Sequence, residues 1–264
     1  MNYQLEKLLV VKVGTNVLTD TTGELDKLDE KSFRNIGREV RGLTSRKTSV
    51  ILVSSGAITA GALLDKKRRC DVTNDVDLQR YAVRGWPKIV RAWESAIGAG
   101  RVSSTLLTKH EIHLGSTRTK ALGLVGCCLA HGDVFVVNEN DAICDDEIKF
   151  GDNDRLAAEL AVACATTGLF QSVKLVLLTN KNGLNMVADD DATIIRTVTD
   201  IAAVEKYAGR TVDKRSRGGM ITKIQAAKIA TKVGIETCIA NGRKRDVVAR
   251  TLRGEIGTRF VVDV

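Results

Sequence analysis

The sequence predicts an α/β protein with a mostly parallel central sheet covered by helices on both faces. Three observations carry this. Short β-branched runs alternate with helical patterns nearly throughout the 264 residues, and such alternation marks crossover connections between parallel strands. The strand-like runs are almost wholly apolar, as strands buried on both faces should be. The polar motifs fall where those runs end, at the carboxyl edge where open α/β sheets place their ligands.

The first run, Leu8-Leu-Val-Val-Lys-Val13, ends at Gly14 and reads as a buried strand whose one charge is Lys12. Residues 29–46 carry helical spacing through Phe33, Ile36, Val40 and Leu43. Ser49–Val53 is a second strand, stopping at Ser54-Ser-Gly-Ala57, where another helical pattern opens. Residues 75–98 read as helix, with Pro87 expected to break or kink it. Val102–Thr108 is a strand, 115–131 a helix, and Val134–Val137 a strand followed by a polar loop, Asn138–Asp141. A helix over 152–167 precedes the strand Lys174–Leu178, and Asn182-Gly183 signals a turn. Gly218-Gly219 opens a helix to about Val233; Ile235–Ala240 and Thr258–Val262 are the last strands.

Length allows one large domain or two small ones, with a core that needs no staples. No apolar stretch reaches the ~18 residues of a membrane span. The N-terminus lacks the basic and apolar regions of a secretory signal, so a cytoplasmic protein is expected. The six cysteines form no C-x-x-C pair and read as reduced core thiols. His110 and His113 lack H-E-x-x-H spacing, which argues against a metal centre and leaves no metal ligand to nominate. The net charge is +8, part of it in Lys66–Arg69, Arg210–Arg217 and Arg243–Arg245. With aromatics at 4% and acids interleaved, this favours a solvated face or anionic substrates over nucleic acid.

Five segments carry chemistry. Gly14-Thr15-Asn16 after Lys12 would let backbone N–H groups approach a phosphate. There is no G-x-x-x-x-G-K-[ST], so a Walker-type site is disfavoured. Ser54-Ser55-Gly56 between strand and helix suits an anion or a simple cap, and is not the G-x-S-x-G of a serine hydrolase. Asn138, Asn140 and Asp141 form an acceptor-rich loop that suits a small polar ligand or plain Asx turns. Asp152-Asn153-Asp154 at a helix mouth supplies more oxygens than capping needs. Gly218-Gly219-Met220-Ile-Thr-Lys223 places a lysine in a helix's first turns, against the dipole, where an anionic partner would account for it.

Together these segments resemble the amino acid kinase family. The matching stretches are Val10–Thr15, Val53–Ile58, Val137–Ala142, Phe150–Asp154, Leu177–Thr179 with Gly183-Leu184, and Gly218–Ala227, in the family's order. N-E-N-D-A followed by G-D-N-D is similar to the branch that phosphorylates glutamate. The resemblance implies a three-layer α/β/α sandwich forming a single kinase domain over 1–264. Residues to about 170 would bind the acceptor, and about 171–264 the nucleotide. It implies transfer of the ATP γ-phosphoryl to the side-chain carboxylate of L-glutamate, the first step of proline biosynthesis, with Mg2+ on the phosphates. Lys12 and Lys223 would stabilise the transferring group and Asp154 would hold both. Ser55, Asn138, Asp141, Asp152 and Asn153 would surround glutamate. Lys12, Gly14, Thr15, Thr179, Asn180, Gly218, Gly219, Met220 and Lys223 would line the nucleotide. Asn180 stands where the family has aspartate, Arg217 where it has threonine. The branch's members form dimers or tetramers, are inhibited by proline, and many carry a C-terminal RNA-modification-type domain, which this sequence is too short to include. Another acceptor, or a non-catalytic ligand-binding role, remains an open alternative at this point.

Overall fold

The computed structural model describes residues 5–44, 47–113, 115–143, 153–208 and 219–261. Its strands are β1 (Leu5–Val13), β2 (Thr19–Asp20), β3 (Lys27–Leu28), β4 (Thr48–Ser54), β5 (Val102–Leu107), β6 (Val134–Glu139), β7 (Phe170–Thr179), β8 (Thr197–Val198), β9 (Glu236–Asn241) and β10 (Thr258–Phe260). The helices are α1 (Thr15–Leu18), α2 (Glu30–Thr44), α3 (Ala57–Ala62), α4 (Asp75–Ile97), α5 (Lys109–His113), α6 (Gly115–Ala130), α7 (Asn153–Ala165), α8 (Ile201–Val204), α9 (Met220–Thr231) and α10 (Val247–Leu252). Eight strands form one sheet in the order β5-β6-β4-β1-β7-β9-β10-β8. Every pairing in it is parallel except β9 with β10. β2 and β3 make a separate antiparallel hairpin.

Alternation along β1 sorts the layers. Leu8 and Val10 pack into a core shared with α6, α7 and α9. Leu9, Val11 and Val13 pack into a second core with α2, α4 and α10. Strand side chains alternate faces, so Lys12 projects to the side that carries α7 and α9. The register aligns the strand ends: Lys12 pairs with Val53 of β4 and Leu177 of β7, and Val53 with Val137 of β6. The polar segments that follow therefore share one rim.

The structure departs from the sequence reading in several places. α4 stays helical through Pro87, because the proline removes one backbone donor and the helix's buried face, with Ile89, Trp93 and Ile97, holds the rest in place. Asn138 and Glu139 belong to β6, not to a loop. The hairpin β2–β3 and the short α1, α5, α8, α10 and β8 were not anticipated. β7 begins at Phe170, four residues early, since polar residues mask its exposed first half. Cys164 and Cys238 are buried thiols pushed up to about 12 by burial, but Cys70 is exposed. Cys144 lies outside the described residues. No described helix is long and apolar enough to cross a membrane.

Candidate active site

Three distant segments converge at the sheet's rim. Lys12, the last residue but one of β1, brings its ammonium to 2.8 Å from Asp154 Oδ1. The contact is a close, buried ion pair. Lys223 Nζ donates to Asp154 Oδ2 at 3.0 Å. Lys12 is 6%, Asp154 0% and Lys223 4% exposed. Burial alone would raise the Asp154 pKa, but the Lys12 and Lys223 charges and hydrogen bonds outweigh it and hold the carboxyl well below the usual range. The Lys223 pKa is lowered, by burial first, while Asp154 opposes the shift and Lys12 adds to it. Two ammonium groups are thus gathered by one carboxylate that is fully enclosed and committed to them.

Thr222 completes the brace. Its hydroxyl lies 2.7 Å from Asp154 Oδ2 and 2.9 Å from the Gly219 carbonyl. The sequence reading passed over Thr222, although its place beside Lys223 was the available signal. Adjacent helical residues point about 100° apart, and only the length of the lysine brings both to one carboxylate.

Beside this cluster, Asn153 clamps two strand ends. Its amide donates to Ser55 Oγ at 3.1 Å and Asn138 Oδ1 at 2.8 Å, and its oxygen accepts from the Glu139 N–H at 3.1 Å. Asn138 in turn donates to Asp141 Oδ2 at 3.1 Å. Ser54 is held from behind by the buried Trp93, whose Nε1 donates to Ser54 Oγ at 2.8 Å. Gly56, at φ +102°, makes the turn into α3, a conformation other residues rarely adopt. Ser55, Asn138, Asp141 and Asn153 are thus joined in one polar cluster.

Gly14 leaves room above the sheet. A Cβ there would sit 3.3 Å from the Leu178 carbonyl and 3.7 Å from Lys12 Nζ, filling the space an anion would need beside the ammonium. Thr15 follows it, and Thr15 and Asn180 share the wall of a neighbouring cavity. Thr179 ends β7, and Gly219 and Met220 begin α9. Asp152 and Gly218 lie outside the described residues, as does Arg217. Apart from them, every nominated residue lies at or beside the carboxyl edge of the sheet.

A family model described as "Amino acid kinase family" matches residues 7–241. The chain belongs to the amino acid kinase family. Among its relatives is glutamate 5-kinase 2 of Pseudoalteromonas translucida (strain TAC 125), 36% identical over 267 residues, covering 98% of this chain and 69% of that one. Glutamate 5-kinase of Dehalococcoides mccartyi (strain ATCC BAA-2266 / KCTC 15142 / 195) is 35% identical, covering 99% and 70%. Two solved structures share the amino acid kinase architecture at 16% identity, which speaks to fold alone. Giardia carbamate kinase has a TM-score of 0.66 over 98% of this chain and 99% of that one. N-acetylglutamate synthase from Neisseria gonorrhoeae, complexed with coenzyme A and L-arginine, scores 0.65 over 97% of this chain, which spans only 61% of the synthase.

Proposed function

We propose that this protein is a glutamate 5-kinase, transferring the ATP γ-phosphoryl to the side-chain carboxylate of L-glutamate as the first step of proline biosynthesis. The observation that carries the reading is the buried Lys12–Asp154–Lys223 cluster, in a chain 35–36% identical to named glutamate 5-kinases.

The acceptor carboxylate is ionised at neutral pH, its free pKa being about 4.3, so no general base is required. An oxygen of that carboxylate forms a bond to the γ-phosphorus as the bond to the β–γ bridging oxygen breaks in line. ADP leaves with the electron pair, and no covalent enzyme intermediate intervenes. Asp154 is unsuited to be a nucleophile or base, since it is enclosed, ion-paired and ionised. Its part is to fix Lys12 and Lys223, whose charge meets the phosphoryl oxygens as they shift. Ser55, Asn138, Asp141, Asp152 and Asn153 hold glutamate. Gly14, Thr15, Thr179, Asn180, Gly218, Gly219 and Met220 line the nucleotide. Mg2+ would be held mainly by the nucleotide's own phosphate oxygens, which suit its hard, oxygen-rich coordination, and would supply charge neutralisation there.

In this reading the chain to about residue 170 serves the acceptor and about 171–264 the nucleotide. The protein works in the cytoplasm as a homodimer or homotetramer subject to proline inhibition. ADP release with and without L-glutamate, with hydroxylamine trapping of the acyl phosphate, tests the activity. Hydroxamate formed with glutamate, and not with aspartate or N-acetylglutamate, supports the assignment; the reverse preference overturns it.

A further inference from the structure

The β1–α1 turn, the β2–β3 hairpin and the segment before α4 enclose a cavity of about 340 Å³, near the lower end of the ~300–1,000 Å³ range of small-molecule sites. Its wall includes Thr15, Asp20, Asp26, Arg68, Asn180 and Arg243. Several of its charged groups are already engaged. Asp20 Oδ1 accepts from the Thr22 N–H at 3.0 Å and from its hydroxyl at 2.7 Å. Arg243 donates to the carbonyls of Asn16 at 2.9 Å and Thr19 at 2.7 Å. Asp26, itself buried, accepts from the Arg69 N–H at 2.9 Å.

Arg68 differs. Its Nε approaches Asp26 Oδ1 only to 3.9 Å. That nitrogen is shielded from solvent and has no hydrogen-bond partner among the described residues. Buried donors are nearly always satisfied, and one on a charged group is costly to leave unmet. A guanidinium presents a planar fork matched to carboxylate and phosphate oxygens. The cavity reaches Thr15, three residues from Lys12 in sequence and next to Gly14.

We infer that Arg68 is an anion-recognition residue, engaging an oxyanion of one of the two substrates in this cavity. The oxyanion is a phosphate of the nucleotide or a carboxylate of the acceptor. The inference rests on the kinase reading above and extends its site beyond the motif residues.

The test compares the full chain with Arg68→Met and Arg68→Lys, measuring kcat and KM for ATP at saturating glutamate, and for glutamate at saturating ATP. Arg68→Met raises one KM by roughly 10- to 100-fold, the worth of one charged hydrogen bond, with a much smaller change in kcat. Arg68→Lys recovers part of the loss. A rise in the ATP KM assigns a phosphate, and a rise in the glutamate KM assigns a carboxylate. Arg41→Met, the same charge removed near the end of α2, leaves both values in place. If Arg68→Met does not fold by circular dichroism, Arg68→Lys alone is read, since it keeps the charge and loses the fork. Both KM values unmoved in the folded variant read, or a loss confined to kcat, overturn the inference. A parent protein inactive on glutamate refutes the kinase reading instead.

Discussion

Thr222 shows how a neutral side chain sets up charged ones. Its hydroxyl and Lys223 meet the same Asp154 oxygen, at 2.7 and 3.0 Å. Thr222→Val keeps the volume and removes a hydrogen bond to a charged group, worth about 1.5–3 kcal/mol. Turnover in Thr222→Val falls by about tenfold or more, whereas Thr222→Ser stays close to the parent; equal rates in all three proteins would show that the hydroxyl is idle. Lys223 supplies a second prediction. Burial lowers its pKa, so its side chain loses its proton at a pH below the ~10.4 of a free lysine. The cation is present below that folded value and gone above it. The Lys223 13Cε shift, followed by NMR across alkaline pH, titrates on the low side of 10.4, and titration at or above it contradicts the enclosed geometry.

At the scale of elements, the Ser55 turn depends on two helices meeting backbone to backbone. A Cβ on Gly85 of α4 would lie 1.8 Å from the Ala57 carbonyl oxygen and 2.5 Å from the Gly61 nitrogen of α3. Neither contact can yield without moving α3, which begins immediately after Ser55-Gly56. Gly85→Ala therefore costs about 3 kcal/mol, the upper end of ordinary overpacking, and also weakens acceptor binding. Val83→Ala, on the exposed side of the same helix, changes stability by no more than about 0.5 kcal/mol. Urea midpoints of the two variants check this, and similar midpoints would refute it. The sequence made the main strands and helices legible through their apolar periodicity. It hid the hairpin β2–β3, whose strands are two residues each, too short to show alternation. It also hid the α3–α4 contact, because a glycine inside a helical pattern reads as a local cost and says nothing of what approaches it.

For the molecule as a whole, the candidate site was legible as a set of residue types, and its convergence needed the sheet. Lys12, Asp154 and Lys223 are far apart in sequence, and only the parallel register and the two-faced alternation of β1 place them on one side of one rim. Cavity-lining Arg68 carries no motif and was readable only as part of a basic run. The enclosed cluster also ties stability to pH. Asp154 has a depressed folded pKa, so its contribution is fully present above the unfolded value of about 3.9 and is lost as pH falls through the folded one. Asp154→Asn leaves two buried ammonium groups without their counter-charge and costs about 3–5 kcal/mol at pH 7. The gap between it and the parent, measured by urea unfolding, narrows only below about pH 4; a gap that closes between pH 5 and 7 would contradict the pairing. The central claim is that two braced ammonium groups carry phosphoryl transfer. Single-turnover formation of trapped glutamyl phosphate by Lys12→Ala and Lys223→Ala, at saturating ATP and glutamate, tests it most directly. The account predicts losses of about 10²–10³ in each folded variant, and near-parental rates in both would contradict it.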